Sequence, residues 1–183
     1  MAKRGETRER LLRTAATLFR TQGYHATGLN QVVAEGGAPK GSLYFHFPGG
    51  KEQLAVESVA FSAGEVHTTM RSADDLESAL ALFAEHLVAS DFKNGCPVAT
   101  VALDAAAESE PIREACATAY ASWHGLLVDF LLRQGISASR APGLATTVLA
   151  AVEGALLLAR TQRDVAPLRQ VAADMRILLE GAR

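Results

Sequence analysis

Cysteine is scarce, with only Cys96 and Cys116 in 183 residues. Two are too few for a disulfide framework or a zinc site, so reduced thiols in a cytoplasmic protein are expected. Aromatic residues make up 6% of the chain. That scarcity, with abundant Ala and Leu, argues for helices. No segment alternates apolar and polar residues long enough to make a strand. The most apolar stretch, Leu144 to Ala159, is shorter than a membrane span and holds Glu153 in its middle. It reads as a buried helix, with no membrane partner. Lys3 and Arg4 near the N-terminus are not followed by an apolar run, so no secretory signal is expected.

The signatures of several enzyme classes are missing too. No Glu is followed by His three residues later, as a di-iron bundle would require. There is no His-Glu-x-x-His and no Gly-x-Ser-x-Gly. Gly49-Gly50-Lys51 is not a phosphate loop, because Phe45 occupies the first glycine position and Glu52 replaces the Ser or Thr. These gaps predict a protein that is not an enzyme, with no catalytic residue, metal or cofactor.

What is present is a globular composition, 49% hydrophobic, which supplies ample material for a core. Charge is unevenly spread. Residues 1–52 hold eight Lys or Arg against four acids, a net +4, and the remainder holds ten against sixteen, a net −6. A basic end on an acidic body suggests a polyanionic partner for that end.

Spacing predicts about nine helices. The first spans about 6–21, with Leu11, Leu12, Ala15, Ala16 and Phe19 on one face and Gly23 as its stop. Thr27 is placed to cap a second helix over 29–35. Gly36-Gly37-Ala38 makes a turn, and Pro39 suits the first position of a third helix ending near Phe45. Later helices are expected over 51–71, around 76–87, over 98–108, from Pro111 to Gly135, over 142–161 and over 165–180. The eighth is apolar nearly all round, which predicts cover on more than one side. The ninth repeats Val165, Leu168, Ala172, Met175 and Leu179 at the spacing of a helix seam.

A short helix, a glycine turn and a second short helix form the pattern of a DNA-binding helix-turn-helix, whose second helix enters the major groove. Leu43 and Phe47 are expected to face inward and Phe45 to be partly buried. Lys40, Ser42, Tyr44 and His46 then face outward, and Gly41 allows close backbone approach. Lys and Tyr suit phosphates, while Lys and Ser can also reach base edges. Lys51, at the start of the fourth helix, would favour a phosphate.

The run TGLNQVVAEGGAPKGSLYFHFPGGKEQL, Thr27 to Leu54, strongly resembles the DNA-binding signature of the TetR family of repressors, and RERLLRTAATLFRTQGY in the first helix is similar to that family. The Gly-Ala-Pro-Lys-Gly-Ser run, the Pro-Gly-Gly-Lys loop and GCPVATVALDAA from Gly95 are similar to its LmrA/YxaF-like branch. One departure is Pro39, where many members carry Ser or Thr.

The resemblance implies an all-α homodimer. Residues 1–50 would be the helix-turn-helix DNA-binding domain, and residues 51–183 a helical bundle for effector binding and dimerisation. Thr27, Lys40, Gly41, Ser42, Tyr44, His46 and Lys51 would contact pseudo-palindromic operator double-stranded DNA. A small hydrophobic effector would bind among Phe61, Phe83, Leu87, Thr100, Tyr120, Trp123, His124 and Leu127. Val148, Ala151, Val152, Ala155, Leu168, Ala172, Met175 and Leu179 would form the dimer interface. The expected function is a ligand-responsive transcriptional regulator, a repressor released from its operator by the effector. The alternative is an all-α ligand-binding protein or enzyme with a vestigial helix-turn-helix.

Overall fold

A computed structural model describes residues 4–39 and 41–182. Among the described residues the chain forms nine α-helices and no strand. They are α1 (Arg4–Gln22), α2 (Leu29–Glu35), α3 (Ser42–His46), α4 (Gly50–Ser72), α5 (Leu76–Ala89), α6 (Pro97–Ala105), α7 (Glu110–Arg133), α8 (Ala141–Gln162) and α9 (Ala166–Glu180). Lys40, one of the expected DNA contacts, lies outside the described residues.

The chain divides into two compact units, residues 1–64 with 97–119, and residues 65–96 with 120–183. The first therefore takes in part of α4, all of α6 and the start of α7, which lie beyond residue 50.

In the first unit, α1 packs against α2, α3 and α6. Leu11, Ala15 and Phe19 recur every four residues and are fully buried, which places one stripe of α1 against the core. Val32, Leu43, Phe47, Leu54, Val59, Val98, Val101 and Ile112 are buried in the same unit. Each such side chain contributes roughly 1.5–3 kcal/mol by leaving water. Gly23 ends α1 in the left-handed region at φ +89°, and its N–H donates to the Phe19 carbonyl at 3.0 Å.

In the second unit, α9 packs against α8 and α5. α8 buries Ala141, Ala145, Val148, Val152, Ala155 and Ala159, a 4-3-4-3-4 stripe of mostly small residues that admits neighbouring helices closely. Asp75 caps α5: its carboxylate accepts the Ser78 N–H at 2.8 Å, and the Ser78 hydroxyl in turn accepts the Asp75 N–H at 3.1 Å. Arg163 ends α8 in the left-handed region, and its guanidinium donates to the Asp91 carboxylate at 2.5 Å.

The described helices depart from the sequence pattern in two places. α2 is capped by Gly28 and not by Thr27. α3 starts at Ser42, three residues after Pro39, whose carbonyl instead accepts the Ser42 N–H at 2.9 Å in a tight turn. α8 spans 22 residues, within one residue of the expected 142–161 at each end, and by length and composition alone is long and apolar enough to cross a membrane. Its stripe of six buried residues faces the core, and Leu157 and Leu158 on another face stay exposed.

Candidate nucleic-acid interface

The helix-turn-helix is built from α2, the turn after it, and α3. Gly36 is enforced by packing: a Cβ there would sit 2.8 Å from the Val32 carbonyl oxygen and 3.3 Å from Leu11 Cδ2. Gly37 follows at φ +57°, where glycine is favoured. Leu43 and Phe47, four residues apart, are buried and anchor α3 from below. The Arg8 guanidinium covers the Phe47 ring, 5.0 Å from its centroid, and pairs with Glu57 of α4. Glu57 also accepts from Gln53 at 2.9 Å, and Gln53 accepts the Gly49 N–H at 2.8 Å, so the loop after α3 is tied to α4 and α1.

With that anchoring, α3 turns Tyr44 and Phe45 outward, 63% and 58% exposed. Gly41 is exposed, and Ser42 and His46 are half-buried. The Ser42 hydroxyl donates to the Pro39 carbonyl at 2.7 Å, which leaves its oxygen able to accept.

Two expected contacts, Thr27 and Lys51, are placed differently, and so is Phe45. Thr27 is 1% exposed, and its hydroxyl donates to the Gly23 carbonyl at 2.7 Å. It is a structural clasp of the α1–α2 turn, and its side chain cannot reach a duplex. Phe45, expected to be partly buried, is exposed, because Leu43 and Phe47 already fill the interior. Lys51 folds back on the protein: its Nζ donates to the His25 carbonyl at 3.3 Å and lies 4.5 Å above the Tyr24 ring. Desolvation there pushes its pKa below the usual lysine value, against the opposing pull of Asp104.

The α1–α2 turn is also held from α6. The Asp104 carboxylate accepts the His25 N–H at 2.8 Å, and the His25 ring nitrogen Nε2 lies 2.9 Å from the Asp104 carbonyl and 3.5 Å from Glu108. A Cβ at Gly23 would lie 2.9 Å from the same Asp104 carboxylate. Burial raises the Tyr24 pKa above its usual value, reinforced by the charges of Glu52 and Glu108. Sequence reasoning missed this latch, since its partners are 79 residues apart and only Gly23 hints at it.

Residues 11–57 match the bacterial regulatory proteins of the tetR family, and residues 72–174 match the C-terminal domain of the LmrA/YxaF-like transcriptional regulators. The chain belongs to the TetR family. It is 41% identical to the uncharacterized HTH-type transcriptional regulator YxaF of Bacillus subtilis, over 98% of each chain. It is 39% identical to the HTH-type transcriptional regulator LmrA of the same organism, over 96% of this chain and 98% of that one. The regulatory protein TetR from Rhodobacter sphaeroides shares the fold, with a TM-score of 0.82 at 21% identity over 91% of this chain and 95% of that one. As a member of this family the chain is a DNA-binding transcriptional regulator and not an enzyme.

The expected effector residues of this TetR-family chain do not all fall in one unit. Phe61 and Thr100 belong to the first, and Phe83, Leu87, Tyr120, Trp123, His124 and Leu127 to the second. Phe61 lies under the Arg13 guanidinium, 4.9 Å away. Leu87 and Leu127 are core residues with Phe83 packed against them, and Trp123 is buried. His124 is committed to the Pro142 carbonyl at 3.0 Å and the Thr146 hydroxyl at 3.2 Å. A groove of about 690 Å³ between α5 and α9, floored by Leu80, Ala84 and Leu168 and flanked by Glu77, Glu85 and Arg169, contains none of the eight.

The expected dimer residues need a larger correction. Val148, Val152, Ala155, Leu168, Ala172 and Leu179 are buried inside the protomer's own core, and Ala151 and Met175 are half-buried. The most apolar faces of α8 and α9 are used internally. The faces that remain open carry Thr147, Ala150, Gly154, Leu157 and Leu158 on α8, and Ile177 and Leu178 on α9.

Proposed function

We propose that this TetR-family regulator is a cytoplasmic homodimeric repressor that leaves a pseudo-palindromic operator when a small hydrophobic effector binds. Residues 1–50 act as the DNA-binding domain and residues 51–183 as the effector and dimerisation domain. The observation that carries this reading is α3: two apolar anchors point inward while Tyr44 and Phe45 point to solvent. Gly41, Ser42, Tyr44 and His46 of this segment, with Lys40 beside them, contact the duplex. Lys51 joins them by exchanging its contact with His25 for a phosphate. The net +4 of residues 1–52 supplies the long-range attraction.

The dimer uses the open faces of α8 and α9, where two copies build a four-helix bundle. Two-fold symmetry then places two recognition helices on half-sites one or two turns of DNA apart. An effector that prefers the DNA-free form weakens DNA binding, and by linkage DNA weakens effector binding by the same factor.

Selection of duplexes from a random pool tests the reading. The selected sequences should be pseudo-palindromic, and affinity should fall steeply with salt because phosphates dominate. Lys40→Ala with Tyr44→Ala should abolish binding while the thermal melt is retained. Unchanged affinity in that double variant overturns the site. A reporter under a promoter carrying the selected duplex should be silenced by the protein and released by compounds that compete with DNA in titration.

A further inference from the structure

Phe45 is the one exposed large apolar side chain on the recognition helix that has no hydroxyl to offer a phosphate. It does not serve the core of the helix-turn-helix, which Leu43 and Phe47 fill from the opposite side of α3. Its ring meets the His46 ring edge to face, with centroids 5.0 Å apart and planes at 77°. Residues 1–52, which include Phe45, carry a net +4, which favours a polyanion over an apolar protein surface as the partner of this helix. Within the major groove a single base edge offers an apolar feature, the 5-methyl group of thymine, and phenylalanine is among the side chains that match it.

We propose that Phe45 is a specificity-determining residue that selects thymine at one position of each half-site through the 5-methyl group. The inference rests on the DNA-binding reading above. Its chemistry differs from that of a phosphate contact: Tyr44 would secure the backbone without regard to sequence, whereas Phe45 gains only where a methyl lies beneath it. Cytosine lacks that methyl, and adenine and guanine present polar atoms that a phenyl ring would strip of water without replacing.

Duplexes selected by the wild-type protein are resynthesised with deoxyuridine replacing thymine, one position at a time in both half-sites. Uracil keeps every hydrogen-bonding group and removes only the methyl. At one position the exchange should weaken the wild type about fourfold per half-site, roughly fifteenfold for both, the scale of burying one methyl group. Phe45→Ala should bind the thymine and uracil duplexes equally and keep the wild-type dependence on salt, since no phosphate contact is lost. Phe45→Leu should retain part of the thymine preference. Phe45 is exposed, so both variants should melt as the wild type does.

If uracil is tolerated everywhere by the wild type, or if Phe45→Ala still discriminates, the thymine role is overturned while the regulator reading stands. If the wild type selects no duplex at all, both fall.

Discussion

A methyl group added at Gly23 would meet two obstacles at once. The backbone there has φ +89°, and the new Cβ would approach the Asp104 carboxylate to 2.9 Å. Gly23→Ala should therefore destabilise the protein by about 1–3 kcal/mol in urea unfolding. Gly64 gives the matched control: it lies inside α4 with nothing within 4 Å of an added Cβ, so Gly64→Ala should stabilise by about 0.5–1 kcal/mol. Equal effects at the two sites would mean that the Gly23 turn is not constrained as described. Glu153 makes a different residue-scale argument. Burial pushes its carboxyl above the usual range, opposed by a hydrogen bond with Cys96. The folded state then holds this proton more tightly than the unfolded chain does, so stability falls as pH rises from the ordinary carboxylate range through the raised folded value. Glu153→Gln, which never ionises, should melt higher than the wild type at neutral pH, and the gap should close below about pH 4. A gap independent of pH would show that the charge is not what burial penalises.

At the scale of elements, the α1–α2 turn hangs on α6. Asp104 holds the His25 N–H, and the Lys51 ammonium closes the other side of the same turn. Asp104→Ala should cost about 1 kcal/mol for the lost hydrogen bond. It should also weaken duplex binding several-fold by loosening the turn that leads into α2, and speed amide exchange at His25. Asp104→Asn, which keeps an oxygen acceptor, should restore most of each. Normal exchange at His25 in the alanine variant would refute the latch. The helices themselves were legible in the sequence, because apolar spacing and punctuation by Gly23, Pro97, Pro111 and Gly135 are local signals. The recognition helix was legible too, through Leu43 and Phe47 four residues apart. Thr27 was misread because a hydroxyl before a helix looks like a cap, while here it reaches back to Gly23. Phe45 was misread because an aromatic ring beside two buried positions looks like core. The latch could not be seen at all, since nothing in a linear pattern joins His25 to Asp104.

For the whole molecule, the same limit bears on the proposed dimer. Periodicity finds the most apolar face of a helix, and on α8 and α9 that face belongs to the protomer's own core: Val148, Val152, Leu168 and Ala172 are buried before any second copy arrives. The proposed dimer uses the weaker stripe, Ala150, Gly154 and Leu157 on α8 with Ile177 on α9, which is exposed and where small residues would let two helices approach while the leucine and isoleucine supply area. The two stripes respond differently to substitution, and that difference is measurable. Leu157→Glu with Ile177→Glu alters exposed residues, so the protomer should keep its helical content while sedimentation shows half the mass of the wild-type dimer. Such a monomer should also lose affinity for a two-half-site duplex far more than for a single half-site, because the second contact is no longer tethered. Val148→Ala should do the reverse, lowering stability by about 1–3 kcal/mol through a cavity in the core while the mass stays dimeric. If the charged double variant sediments at the same mass as the wild type, the open faces of α8 and α9 are not the interface between copies, and that part of the proposal falls.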